Sequence, residues 1–136
     1  MSHWTERIYC VACEKKVNAI LTNGAVIYPH RPDLEHLPFW RCKFCKNYVG
    51  CHHKTKNRTK PLGVIPTPEI RNLRMQIHSV IDPAWKRGSM TRSEVYGSLS
   101  NVLGYSYHTG EIDSAEKAKH ILKIARELFQ KAQRPI

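Results

Sequence analysis

Two cysteine pairs, Cys10-Val11-Ala12-Cys13 and Cys42-Lys43-Phe44-Cys45, are separated by 28 residues. A two-residue gap lets both sulfurs of a tight turn face one metal ion, and two such knuckles supply the four thiolates of a closed tetrahedral site. A closed site has no open position for a substrate. The implied cofactor is therefore one structural Zn²⁺ held by Cys10, Cys13, Cys42 and Cys45. A redox role would need one pair only, in a thioredoxin-like βαβ setting. The fifth cysteine, Cys51, makes the count odd, which is a poor disulfide framework and favours a reducing compartment. Cys51 and His52 follow the second pair closely enough to approach a metal, but four thiolates already complete the shell, so Cys51 is expected to be a small buried apolar residue.

The first half of the 136-residue chain has the pattern of a zinc ribbon over residues 1–52. Arg7-Ile8-Tyr9 leads into the first knuckle, and Val17-Asn18-Ala19-Ile20-Leu21 is a strand candidate. Thr22-Asn23-Gly24 is expected to turn the chain, because Asn-Gly tolerates the positive φ of a tight hairpin, with Ala25-Val26-Ile27-Tyr28 as the returning strand. Pro29, Pro32 and Pro38 exclude regular sheet from the loop that follows. Phe39-Trp40-Arg41 enters the second knuckle and Asn47 to Cys51 leaves it as a strand. So small a sheet buries little area, and metal binding would supply folding energy that its core cannot.

Residues 53–66 have the composition of a basic linker loop, with Pro61, Gly63 and Pro66 at its far end. Residues 67–136 read as a helical region of three packed helices, giving an α+β fold overall. Thr67-Pro68-Glu69 opens the first, whose apolar positions Ile70, Leu73, Ile77, Val80 and Ile81 recur at helical spacing; Asp82-Pro83 is expected to end it. Thr91-Arg92-Ser93-Glu94 is a capping box for the second, with Val95, Leu99, Val102 and Leu103 on its apolar face and Gly104 as its stop. The third is expected to start at Asp113 in the same way, with Asp in place of Ser or Thr, and to bury Ala118, Ile121, Leu122, Ala125, Leu128 and Phe129.

The formal net charge is +11, a surplus that favours a polyanionic partner, most often nucleic acid. Residues 1–67 carry eleven basic against four acidic side chains. Lys54, Lys56, Arg58 and Lys60 alternate with small polar residues in a run without an acid, a pattern that can follow a phosphate backbone. Trp40, Phe44 and Tyr48 lie near that run and could stack on bases if exposed; Trp40 is expected in the core and Phe44, at a knuckle tip, at the surface. Nothing in this pattern separates DNA from RNA. No apolar stretch approaches the roughly 20 residues that span a bilayer, and the start of the chain, Met1 to Arg7, has no apolar signal region. A cytoplasmic protein without a membrane partner is the expectation.

The run Trp40-Arg41-Cys42-Lys43-Phe44-Cys45, then Tyr48-Val49-Gly50-Cys51-His52 and Pro61-Leu62-Gly63, resembles a family of small zinc-finger-containing domain proteins. The resemblance continues through Leu73-Arg74, His78, Asp82-Pro83-Ala84-Trp85-Lys86 and Arg92-Ser93-Glu94-Val95-Tyr96, and ends near Tyr107-His108-Thr109-Gly110-Glu111-Ile112-Asp113. It departs at His108-Thr109-Gly110, where a β-branched aliphatic residue is expected before the glycine. The resemblance implies zinc binding and a phage, prophage or mobile-element origin, and it implies no reaction.

Three functions compete. The leading one is a nucleic-acid-binding accessory protein that uses the basic loop and Phe44. The second is a zinc ribbon that binds a host protein of a defence or transcription complex, since zinc ribbons serve protein contacts equally well. The third is a metal-dependent nuclease of the zinc-flanked ββα-metal kind. Such an enzyme needs a His base, a metal-binding His or Asp, and an orienting Asn. The interval between the knuckles offers only His30 and His36, with no adjacent Asp-His pair. A binding protein rather than an enzyme is the expectation. A helix-turn-helix is disfavoured because Tyr105 to Ile112 is long for that motif's turn of about three to four residues.

Overall fold

The computed structural model describes residues 4–88 and 90–130. The chain divides into two compact units, Met1–Pro68 and Glu69–Ile136.

The first unit is a four-stranded antiparallel sheet in the order β1-β2-β3-β4, with β1 Thr5–Cys10, β2 Lys15–Asn23, β3 Pro38–Arg41 and β4 Tyr48–Gly50. Side chains alternate between the two faces of each strand. One face carries Ile8, Cys10, Val17, Ala19, Trp40 and Val49, which are buried together with Cys42, Cys51 and Ile65. The other carries Ile20, Thr22, Phe39, Arg41 and Tyr48, all half-buried. Each knuckle is the turn of a hairpin: β1 enters and β2 leaves the first, β3 enters and β4 leaves the second.

The strand expected at Ala25–Tyr28 is instead a helical turn, α1 (Gly24–Ile27). Asn23 keeps extended backbone and its side chain accepts the Val26 N–H at 3.2 Å, so it caps a helix rather than turning a hairpin. Gly24 packs against the Leu34 backbone so closely that a Cβ would lie 1.8 Å from the Leu34 carbonyl oxygen. Its N–H donates to Leu37 O at 2.9 Å, which fixes the loop that leads to β3. β3 therefore becomes the partner of β2.

Residues 53–66 belong to the sheet unit and are not a free linker. Cys51 pairs with Pro61, and His52 N–H donates to Lys60 O at 2.8 Å, closing the intervening loop at its base. Leu62 N–H then donates to Gly50 O on β4, while Ile65 N–H donates to Tyr9 O and Ile65 O accepts from Val11. A short strap thus joins the two outer strands. A chain spans at most about 3.5 Å per residue, so the sheet must curl for both contacts to form. Ile65, fully buried, is the side chain this strap contributes to the core.

The second unit contains α2 Pro68–Lys86, α3 Arg92–Leu103 and α4 Ala115–Ala125, which Arg126–Gln130 continue as a π-helical turn. The expected stop at Asp82-Pro83 is overridden, and α2 continues to Lys86 with Pro83 inside it. Proline removes one backbone hydrogen bond here, and the continuation buries Ala84. Asp82 accepts the Trp85 indole N–H and lies 3.2 Å from His78 Nδ1.

The Thr91 capping box is present, and Gly104 ends α3 in the left-handed conformation at φ 81°. Val95 and Leu99 are buried as expected, but Val102 is 54% exposed. The cap of α4 is Ser114, which accepts the Lys117 N–H; Asp113 stands one residue earlier and pairs with Lys117 at 3.5 Å. Leu128 lies at the surface, whereas Phe129 is buried. Arg74, on α2, donates to Gly110 O and Ile112 O at 3.0 and 2.8 Å. Burial pushes its pKa down to about 10, which leaves it charged at neutral pH. The unexpected Thr109 has a use, since its hydroxyl lies 2.7 Å from the buried Tyr107 OH. Among the described residues no helix is long and apolar enough to cross a membrane.

Candidate metal centre and basic surface

The curled sheet brings the two knuckles face to face. The sulfurs of Cys10, Cys13, Cys42 and Cys45 all lie within 4.8 Å of one another. Cys10 Sγ is 3.5 Å from Cys45 Sγ, and Cys13 Sγ is 3.7 Å from Cys42 Sγ. A tetrahedral zinc thiolate with bonds of about 2.3 Å has sulfur–sulfur edges of about 3.8 Å, so the cage fits one ion of that size. Cys10 and Cys42 are fully buried, and Cys13 and Cys45 half-buried. Among the described residues, no other group of three or more His, Cys, Asp or Glu side chains is placed to hold a metal ion.

The backbone of each knuckle is the same device. The residue after the second cysteine has positive φ, 56° at Glu14 and 68° at Lys46. That turn aims amide N–H groups inward at the sulfurs. Burial pushes the Cys42 thiol up, but the N–H groups of Cys45 and Phe44 favour its thiolate and bring it down to about 7. At Cys10 burial prevails over the Cys13 N–H, and the thiol is pushed up to about 12. Thiolates are the metal-binding form, so a cation entering this cage would have to displace the thiol protons, most of all from buried Cys10.

Cys51 lies outside the cage. It is buried in the apolar core, where burial alone raises its thiol to about 11. His52 is outside it too, and the neighbouring His53 ring sits 3.3 Å from Cys51 O. His30 and His36, the histidines between the knuckles, are both exposed, and His36 lies 3.3 Å from the Glu35 carboxylate.

Lys54, Lys56, Arg58 and Lys60 lie on the loop closed by the Cys51–Pro61 pair, and all four are exposed. Thr55 Oγ1 donates to His52 O, and Lys60 N–H to Asn57 O, so the loop is bonded internally. Its anchor is Trp40, which is 3% exposed and donates its indole N–H to Thr59 O at 2.6 Å. Trp40 is therefore core and tether, not a stacking surface. Phe44 is 60% exposed at the tip of the second knuckle, with the Lys15 and Lys43 ammonium groups 5.1 and 5.4 Å from its ring centre. Tyr48 is half-buried and packs edge-on against Tyr28 and Phe39.

Sequence reasoning missed Arg41, Lys43 and Lys46, which line a separate concavity with Ile20, Leu21 and Thr22. The signal was available: no Asp or Glu stands between Glu35 and Glu69, an interval that holds Arg41, Lys43, Lys46 and the four loop cations.

No curated protein and no solved structure matches the chain significantly. The knuckle spacing, the four-sulfur cage and a family model that matches residues 6–128 together place the chain in the family described as a zinc-finger-containing domain.

Proposed function

We propose that this chain is a nucleic-acid-binding module, not an enzyme, in which one structural Zn²⁺ on Cys10, Cys13, Cys42 and Cys45 holds the sheet and the sheet presents a basic loop. The observation that carries this reading is the loop itself. Lys54, Lys56, Arg58 and Lys60 are exposed, form no ion pair among the described residues, and have no acidic neighbour in sequence. Structural purposes do not require four unpaired cations on a loop whose shape is set by backbone bonds and Trp40. Phosphates would be their counterions, and each one neutralised would release a bound cation. Such contacts position a protein on nucleic acid without reading its sequence. A closed thiolate shell leaves the metal no part in a reaction. The cytoplasm of a cell that carries a phage or mobile element is the setting this reading proposes.

The test is fluorescence anisotropy of zinc-loaded protein across a salt series, with duplex DNA, single-stranded DNA and structured RNA. Changing Lys54, Lys56, Arg58 and Lys60 together to Ala should weaken binding to every ligand and flatten the salt dependence. Unchanged affinity would sink the phosphate-binding role of the loop. If a nuclease-treated lysate still yields one stoichiometric host protein on the zinc-loaded chain and no nucleic acid binds, the host-protein reading replaces this one. Metal-dependent nicking of plasmid DNA would overturn the non-enzymatic assignment.

A further inference from the structure

The two knuckles share a backbone and differ in what they display. Both close a hairpin, and both carry a residue of positive φ just after the second cysteine. The first reads Cys10-Val11-Ala12-Cys13-Glu14, and its Val11 N–H is engaged by Ile65 O of the strap. The second reads Cys42-Lys43-Phe44-Cys45-Lys46. Holding the metal makes equal demands on both, so Lys43 and Phe44 in place of Val11 and Ala12 are not demanded by the turn. An exposed phenylalanine is a cost in water that the first knuckle does not carry.

The surroundings of the second knuckle continue the theme. Arg41, Lys43 and Lys46 line a shallow concavity of about 180 Å³ with Ile20, Leu21 and Thr22. None of the three cations forms an ion pair among the described residues. The Nε of Arg41 is buried without a hydrogen-bond partner among the described residues, which is unfavourable for a charged group and would be eased by a nearby anion. Arg41 follows Trp40 on β3, so the two side chains leave the strand on opposite faces. Trp40 reaches the basic loop through Thr59, whereas Arg41 belongs to the other face. The concavity is therefore a second basic surface and not an extension of the loop.

We propose that the second knuckle and the adjoining face of β3 form a binding site for single-stranded nucleic acid, in which Phe44 stacks on an unpaired base and Arg41, Lys43 and Lys46 take the flanking phosphates. The inference rests on the nucleic-acid reading above and narrows it to one ligand class. Cations alone would suit duplex and single strand equally. Phe44 decides between them, because paired, stacked bases expose no ring face and splayed bases do. The Lys15 and Lys43 ammonium groups lie over the Phe44 ring; a stacking base would displace them, and they would turn to the phosphates on either side of it.

The experiment uses the zinc-loaded full chain and three labelled probes of equal length: a thymidine oligonucleotide, an abasic phosphodiester strand and a DNA duplex. Phe44→Ala should lose about tenfold in affinity for the thymidine strand, the order expected for one base–aromatic stack, and nothing for the abasic strand. Phe44→Tyr, which keeps the ring, should restore binding. Lys43→Ala with Lys46→Ala should lower the salt slope for single strands by about 1.4, because each phosphate left without its cation subtracts about 0.7. Zinc content of one ion per chain confirms that each variant retains the cage. If Phe44→Ala binds the thymidine strand as tightly as the parent while the loop variant weakens it, this site is wrong and the nucleic-acid reading stands. If the parent chain binds none of the three probes, both fall together.

Discussion

The two units solve the same problem with different materials. The helical unit buries Ile70, Leu73, Ile77, Val80, Ile81, Leu99, Ile112, Ile121, Leu122 and Phe129, enough aliphatic surface for three helices to hold one another. The sheet unit buries a shorter set that includes Cys10, Cys42 and Cys51, and two of those three are cage ligands. Its strands are short, and β4 has three residues. A metal bound by the four thiolates would supply what the sheet lacks in apolar area, as in other small metal domains. The difference teaches where charge can be displayed. A unit held by metal can leave a knuckle tip and a loop open for cations, because its stability does not depend on covering them.

The sharpest break of this contrast is Cys42→Ser. Structural zinc is worth about 10 kcal/mol or more in small zinc domains, so losing a ligand should unfold the sheet unit and leave the helices standing. Hydrogen exchange would show β1 to β4 losing protection while α2 to α4 keep theirs, and a chromophoric chelator would show the zinc released. Equal loss of protection in both units would mean that they fold as one, and the contrast would fail.

A second test acts on the helical unit alone. Burial raises the Tyr107 hydroxyl to about 12, against the Thr109 hydroxyl bond that lowers it. An unfolded tyrosine titrates near 10, on the order of the usual phenol value. The neutral phenol is thus favoured in the folded unit: the associated stability is whole below about pH 10 and is lost as pH rises through about 12. About 2–3 kcal/mol should disappear across that window, read from helix denaturation at stepped pH. Tyr107→Phe should abolish this part of the alkaline loss, and a variant that keeps the whole slope would refute the assignment.

The smallest effect belongs to the knuckle turn. Lys46 occupies the left-handed region, where a non-glycine residue costs about 1 kcal/mol. Lys46→Gly should raise the unfolding free energy of the zinc-loaded sheet by up to that amount, read from urea denaturation, and Glu14→Gly should do likewise at the equivalent position. Stabilisation at Glu14 but not at Lys46 would mean that the Lys46 side chain supports the fold.

Some elements could be read directly from the chain. The Cys-x-x-Cys gaps named the cage because that geometry is local to each turn, and only the meeting of the two turns needs the fold. The Thr91 box and Gly104 were readable for the same reason: each cap is formed within a few residues. The errors arose where a distant contact chose between two local options. Asn23-Gly24 suits a hairpin and a helix start alike, and the Leu34 backbone against Gly24, ten residues on, selects the helix. Pro83 marks an ending by local rule, but burial of Ala84 favours one more turn. The loop at 53–66 looked like a linker because hydrophilic, proline-rich composition says nothing of its ends, which are held by Gly50, Tyr9 and the Trp40 indole. Arg41, Lys43 and Lys46 required the sheet register and the hairpin turn before they could be seen as neighbours.

The closed base of the basic loop has a consequence for how such a protein can diversify. Cys51, His52, Lys60 and Pro61 hold the two ends together and Trp40 fixes Thr59, so residues 53–58 are the part that is interchangeable with respect to the sheet. Doubling the length of a flexible loop costs only about 0.6 kcal/mol in closure entropy. Lengthening, shortening or recharging this stretch should therefore come at little expense to folding. The same base makes it a natural grafting point, where a foreign recognition peptide could replace residues 53–58 and still be presented by the core.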